Sequence, residues 1–98
     1  MDPIERRNVE RLSVRLQGVV FFDLDGKEKE EPVTVTQISA FSVYFESAIP
    51  LDITDTVRIT VQMEESEPPF QALGTVIRVD ELEKSYGCTV KFEEPPQF

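Results

Sequence analysis

The chain has 98 residues, and its hydrophobic fraction of 40% predicts one folded domain rather than a disordered segment. Its formal net charge of −9 argues against binding to a nucleic acid polymer and against adhesion to an anionic membrane, because both need a positive surface. With no histidine and a single cysteine, it lacks the residues of common zinc sites and nucleophile–base pairs, so we predict no metal site, no catalytic residues and no enzyme activity.

Apolar and polar residues alternate along most of the chain, which is the two-residue period of β-strands. This alternation predicts a long first strand over residues 12–22, with Gly18 as a place for a bend or a bulge. Residues 23–32 are mostly charged, so we predict a connection there that contains an Asp25-Gly26 turn.

The second strand is predicted to begin at Val33, and the apolar parity switches near Thr36-Gln37, which indicates a bulge or a turn. Six short strands joined by turns, without a segment of helical periodicity, predict an all-β domain. Its antiparallel sheet is expected to close into a barrel or a sandwich. The later strands are predicted over residues 41–45, 57–63, 70–79 and 86–92.

Arginines are concentrated near the start of the chain, where Arg6, Arg7, Arg11 and Arg15 are four of its ten basic residues. A guanidinium group suits phosphate oxygens and the edge of guanine, because both accept paired N–H donors. Composition alone also allows a solvated basic tail. An anionic ligand could bind here despite the acidic remainder of the chain, since physiological salt screens charges beyond about 8 Å.

The arginine motif and the predicted strands follow one another in a particular order along the chain. Residues 7–11, Arg-Asn-Val-Glu-Arg, have the form R-x-x-x-R and stand directly before the first strand. Residues 36–42 follow the second strand, and the fifth and sixth strands carry residues 74–78 and 86–92. In this order, over roughly residues 4–93, the chain resembles the PilZ domain.

The resemblance implies the fold and the function of PilZ domains. These are six-stranded antiparallel β-barrels of the split-barrel type, with little or no helix, which serve bacteria as cyclic di-GMP receptors. On that basis we predict a single PilZ-like domain over residues 1–98. Its parts are a flexible arginine segment over residues 1–11, a barrel over residues 12–93 and a tail over residues 94–98.

The resemblance also implies a ligand-binding site with two parts. In the first part, Arg7 and Arg11 stand at the positions of the arginine motif, whose guanidinium groups contact the phosphates and guanines of the ligand. Arg6 matches an additional arginine that often precedes the motif.

The second part of the implied site has the family pattern D/N-x-S-x-x-G. Here Gln37 replaces the Asp or Asn, Ser39 is retained and Ser42 replaces the glycine. Gln37 still offers a carbonyl acceptor, although it is longer and uncharged. If position 42 needs a positive φ, a serine there costs about 1–2 kcal/mol or moves the loop.

Two main functional hypotheses follow, and a hydrolase that uses paired carboxylates is kept only as a minor third. In the first, the domain is a bacterial cyclic di-GMP receptor or adaptor in second-messenger signalling, with an unidentified protein effector and no resident cofactor. In the second, the changes at Gln37 and Ser42 have removed nucleotide binding, and the domain is a PilZ-like protein-interaction module. Retention of three arginines in an acidic chain favours the first hypothesis.

The expected location is the cytoplasm. The sequence contains no long apolar run, and its first residues lack the apolar core of a signal peptide, so we expect neither export nor membrane insertion. A lone cysteine fits a reducing compartment.

Further predictions concern single side chains. Arg78 lies in an apolar strand, where it either has a cross-strand partner or approaches the ligand. Phe41, inside the second motif, is predicted to be part of the core rather than a ring that stacks on guanine, and Cys88 to be a buried, unreactive thiol. Phe21 and Phe22 are adjacent on a strand, so they cannot both face one core.

Overall fold

The computed structural model describes residues 12–63 and 68–93. Within them the chain forms a closed antiparallel barrel of six strands and no helix, in the order β1-β2-β3-β6-β5-β4. The predicted six-stranded antiparallel β-barrel is therefore confirmed. The strands are β1 (Leu12–Leu24), β2 (Lys27–Ile38), β3 (Ser42–Ser47), β4 (Thr56–Val61), β5 (Phe70–Glu81) and β6 (Tyr86–Phe92).

Three sequence predictions fall outside this description. Arg6, Arg7 and Arg11 lie outside the described residues, and so do the predicted arginine segment 1–11 and the predicted tail 94–98.

The interior of the barrel is filled by the alternate residues of each strand. Phe70 and Phe92 pack against each other with ring centroids 5.8 Å apart. Each fully buried aliphatic or aromatic side chain contributes about 1.5–3 kcal/mol, so this core is the main source of stability. Its members include Val20, Phe22, Val33, Val35, Val43, Phe45, Val57, Ile59, Val61, Val76, Cys88 and Val90.

The charged connection predicted over residues 23–32 is too long. β1 and β2 continue through most of it as a hairpin, and only Asp25 and Gly26 form the turn, with φ of 54° and 80°. Such values are typical of a type I′ turn, whose twist suits a two-residue hairpin. β3 pairs with β2 only from Val33 onward, so the hairpin projects beyond the barrel and its strands are charged on both faces.

The bulge predicted near Thr36-Gln37 is confirmed by a register shift between Val35 and Gln37 in the β2–β3 pairing. No such shift occurs at Gly18, so the bend or bulge that the sequence predicts there is not found. The irregularity of β1 lies between Ser13 and Leu16. Gly18 instead permits close packing, since a β-carbon there would stand 3.0 Å from a backbone carbonyl oxygen of β4.

Phe41 does not belong to the core, contrary to the sequence prediction. It lies in the β2–β3 loop just before β3, and its side chain is 55% exposed. Its carbonyl oxygen accepts a hydrogen bond of 2.8 Å from the Phe92 amide, which holds the loop backbone against β6. Side chains alternate between the two faces only within a strand. Phe41 lies in the loop, so being two residues before the buried Val43 does not place its ring in the core.

Candidate functional site

A cleft of about 520 Å³ lies on the outer face of the barrel, where the β2–β3 loop meets β3, β5 and β6. Tyr44 and Thr89 mark this face as external, because they alternate with buried neighbours on β3 and β6. The cleft is lined by Gln37, Ile38, Ser39, Ser42, Tyr44, Ile77, Arg78, Asp80 and Thr89. It therefore brings together the three predicted residues of the second motif, Gln37, Ser39 and Ser42.

Ser39 shapes the loop at the edge of the cleft. Its hydroxyl oxygen accepts hydrogen bonds from the amides of Phe41 at 3.2 Å and Ser42 at 3.1 Å. The hydroxyl in turn lies 3.3 Å from the Ser42 carbonyl oxygen, to which it can donate. Since Ser39 is buried, its hydroxyl satisfies loop amides and does not project freely into the cleft.

Ser42 occupies an ordinary strand position. It is the first residue of β3 and pairs with Lys91 of β6. Among the described residues other than glycine, positive φ occurs at Asp25 and Thr54, and not at Ser42. A side chain at position 42 therefore costs no left-handed backbone strain in this loop.

Gln37 stands at the point where β1, β2 and β3 meet. It pairs with Ser13 of β1 and with Tyr44 of β3, and its side chain is exposed. The bulge of β2 falls directly before it, and bulges commonly re-aim a side chain. Its amide is consequently available to the cleft as both donor and acceptor.

A second bulge, on β5, was not predicted. The β5–β6 register shifts between Val76 and Arg78, so Ile77 is the additional residue and is 49% exposed. Without this insertion Arg78 would share the inward parity of Val76. With it, Arg78 pairs with outward-facing Thr89 and lines the cleft.

Among the described residues, Arg78 forms its ion pair with Asp80 on its own strand, rather than with a side chain of a neighbouring strand as predicted. Its Nε atom donates to Oδ1 of Asp80 across 3.0 Å, and both side chains are substantially exposed, at 70% and 37%. An exposed pair of this kind adds little stability. The other prediction for Arg78, an approach to the ligand, stays a prediction, and Arg78 does line the cleft.

Tyr44 reaches across β6 toward Asp80. Gly87 pairs with Glu46 on one side and Asp80 on the other, and a β-carbon on Gly87 would collide with the Tyr44 hydroxyl. Burial, followed by the charges of Asp80 and Glu46, raises the pKa of Tyr44 above its ordinary value of 10.0, while Arg78 opposes the shift. The phenol is therefore protonated at neutral pH and can donate a hydrogen bond.

Sequence reasoning missed Tyr44, Asp80 and Thr89 as lining residues of the cleft. Tyr44 could have been found, because it shares the outward parity of Ser42 on β3. The positions of Asp80 and Thr89 depend on the β5 bulge and on the β3–β6 pairing, which carry no local sequence signal.

Other polar features lie away from the cleft. Phe22 is buried, whereas Phe21 is only partly buried and carries the Arg58 guanidinium 4.3 Å above its ring centroid. The two phenylalanines do face different sides, as predicted. Arg58 also forms an exposed ion pair of 3.4 Å with Glu28.

The described residues include no group of three or more histidine, cysteine or acidic side chains that could hold a metal ion.

Cys88 is fully buried, as predicted. Burial raises the pKa of its thiol above the ordinary value of 9.0, and a hydrogen bond with the backbone of Leu51 partly opposes this shift. A buried thiol that stays protonated is a poor nucleophile, and Cys88 is not among the residues that line the cleft.

Comparison with known proteins identifies both a family and a fold. The PilZ domain family matches residues 5–97. Solved structures include 11 chains that match significantly. One is the Bacillus subtilis inhibitor of motility, MotI/DgrA, with a TM-score of 0.70 and 17% sequence identity over 92% of this chain. The chain spans only 44% of that protein's chain. No curated protein matches significantly.

Across residues 12–63 and 68–93, no helix is long and apolar enough to cross a membrane.

Proposed function

Since this chain belongs to the PilZ domain family, we propose that it is a cyclic di-GMP receptor or adaptor domain whose ligand binds in the cleft between the β2–β3 loop and β5. One observation carries the proposal. Gln37, Ser39 and Ser42 stand together at a cleft of about 520 Å³, a volume suited to a ligand of nucleotide size.

The predicted arginines are connected to this cleft through β1. Arg11 directly precedes Leu12, whose Cα pairs with Ile38 at the edge of the cleft. Consecutive Cα atoms are about 3.8 Å apart, so the chain carrying Arg7 and Arg11 joins the barrel beside the second motif. In the proposal Arg6, Arg7 and Arg11 fold over the ligand and contact its phosphates and guanines.

The proposed role is that of a sensor rather than an enzyme. Binding would order the arginine segment against the barrel and so change the surface that an effector protein meets. The effector is unidentified, and the proposed place of action is the bacterial cytoplasm. The Bacillus subtilis neighbour is an inhibitor of motility, which is a property of that protein.

Calorimetric titration of cyclic di-GMP into the full chain at moderate salt tests the proposal. The unaltered chain should bind, and Arg7→Ala or Arg11→Ala should weaken binding by about 1.5–3 kcal/mol if each arginine makes a charged hydrogen bond. Arg58→Ala is the matched control, because Arg58 lies on β4 and does not line the cleft. Absence of binding at high micromolar ligand would refute the proposal.

A second candidate function is a protein-interaction module that has lost the nucleotide. Two observations favour it. The Ser39 hydroxyl accepts hydrogen bonds from loop amides instead of pointing to a ligand, and the exposed ring of Phe41 offers an apolar contact to a protein partner. On this reading Gln37→Asp combined with Ser42→Gly should create nucleotide binding in a chain that otherwise binds poorly. Low micromolar binding by the unaltered chain would remove its main support.

A further inference from the structure

The β5 bulge has a consequence for ligand recognition. The extra residue Ile77 reverses the inside–outside alternation of β5, so Arg78 and Asp80 both face outward while Val79 packs toward the core. β-Bulges are over-represented beside binding sites, where they re-aim side chains. This bulge exposes an arginine and a carboxylate side by side on one wall of the cleft.

The Arg78–Asp80 contact leaves most of both groups available. Arg78 donates through Nε, and within the described residues no other hydrogen bond or ion pair engages its two terminal amino groups. Asp80 accepts through Oδ1, which leaves Oδ2 as an acceptor. The ion pair thus orients a planar fork of donors next to a carboxylate oxygen.

We infer that Arg78 and Asp80 are a guanine-reading pair, an inference that rests on the proposed nucleotide-binding function of the same cleft. Guanine carries two acceptors, O6 and N7, on one edge and the N1–H and N2–H donors on the adjacent edge. The Arg78 amino groups match the acceptors, and the free Asp80 oxygen matches the donors.

The same pair discriminates against adenine. Adenine carries an amino group where guanine carries O6, so it would turn a donor toward Arg78. Its unprotonated N1 would turn an acceptor toward the Asp80 carboxylate. Both mismatches leave polar groups without partners, which is the most effective way for a site to reject an analogue.

Asp80 also gives the cleft the carboxylate that position 37 lacks. Gln37 and Asp80 line the same cleft from β2 and β5. Tyr44 lies between them in strand order and extends its hydroxyl over Gly87 toward Asp80. Gln37 and Tyr44 then complete the polar lining with uncharged donors and acceptors.

The test compares two cyclic dinucleotides on the full chain. Cyclic di-GMP and cyclic di-AMP are titrated by calorimetry at one salt concentration into the unaltered chain, Arg78→Lys and Asp80→Asn. The Lys variant keeps the charge but loses the planar fork, and the Asn variant keeps the shape but loses the carboxylate. Each should lower cyclic di-GMP affinity about tenfold or more without a matching loss for cyclic di-AMP.

A matched ion pair elsewhere on the barrel provides the control. Arg58→Lys and Glu28→Gln alter another exposed arginine–carboxylate pair that does not line the cleft, and they should leave both affinities unchanged. Equal losses for both nucleotides in the Arg78 and Asp80 variants would overturn the inference while the proposed function stood. If the unaltered chain bound neither nucleotide, the proposed function itself would fail, and the inference with it.

Discussion

The hydroxyl of Tyr44 occupies the space that a β-carbon on Gly87 would fill. Tyr44 lies on β3 and Gly87 on β6, and the missing side chain lets the phenol cross β6 toward Asp80 on β5. The glycine therefore permits a close approach and does not serve a turn. Its cost in strand stability is offset by the position it gives to a tyrosine of the cleft.

We expect Gly87→Ala to lower the free energy of unfolding by about 1 kcal/mol in the unaltered chain, because the added carbon displaces Tyr44. In a Tyr44→Ala background the same change should be neutral or stabilise by about 0.5 kcal/mol, since alanine restricts the unfolded chain more than glycine does. Urea denaturation of the four proteins gives the coupling energy. Equal effects in the two backgrounds would contradict this contact.

Ser39→Ala should destabilise the domain by about 1–3 kcal/mol. The change removes the acceptor of the Phe41 and Ser42 amides in a buried loop. Ser42→Ala is the matched control, because the Ser42 hydroxyl is shown in one contact, with Ser39 at 3.2 Å, and should cost less. Urea denaturation compares them, and the expectation is wrong if both substitutions cost the same.

The strand pattern was predictable because the interior of a small barrel accepts only apolar residues at every second position. The bulge of β2 was visible for the same reason, since Val35 and Ile38 differ in parity. The bulge of β5 was hidden, because Val76, Ile77 and Val79 are all apolar and parity cannot tell which one faces solvent.

The hairpin of β1 and β2 was missed for a different physical reason. Residues 23–32 extend beyond the barrel, so most of their side chains are exposed on both faces and no alternation is required of them. The Asp25-Gly26 turn was still recognisable, because few residues other than glycine, asparagine and aspartate accept two successive positive φ values.

Thr54→Asn should stabilise the protein. Thr54 has φ of 80°, a conformation that crowds a β-branched side chain and that asparagine accepts more readily. Relief of about 1 kcal/mol would raise the Tm by about 4–8 °C in a domain of this size. The control is Thr56→Asn, an exposed position at the start of β4 where a β-branched residue is favoured. An equal or lower Tm for Thr54→Asn would argue against strain at this position.

Stability should decrease in alkaline solution through Cys88. Burial raises the pKa of its thiol above 9.0 in the folded state. The contribution of the Cys88 thiol to the free energy of unfolding is therefore fully present below the pKa that this thiol has in the unfolded chain. It is lost as the pH rises through the higher pKa that the thiol has in the folded protein. The pKa of Tyr44 is also raised in the folded state, so deprotonation of its phenol should likewise lower the free energy of unfolding, at higher pH. In urea denaturation on both sides of about pH 9, Cys88→Ala should show a weaker pH dependence, and an unchanged slope would exclude this role.

Half of the candidate site was predictable from local sequence. Gln37 lies near the end of β2 and Ser39 directly after it, in a recognisable pattern, and the structure does bring them to a cleft. Arg78 and Asp80 depend on a register shift between strands that are distant from residue 37 in the chain. Long-range pairing of this kind is decided by how all six strands close together, so a short segment does not reveal it.

The joint between β1 and β4 is the narrowest connection in the barrel. It comprises four residue pairs, from Gly18↔Val61 to Phe21↔Arg58, whereas β1 and β2 pair at eleven positions. It has fewer paired residues than any other strand pairing of the barrel, so we expect it to open first in native fluctuations. Around the barrel this joint lies opposite the β3–β6 pairing that carries the cleft. The domain can therefore open locally on one side while its binding wall keeps its geometry.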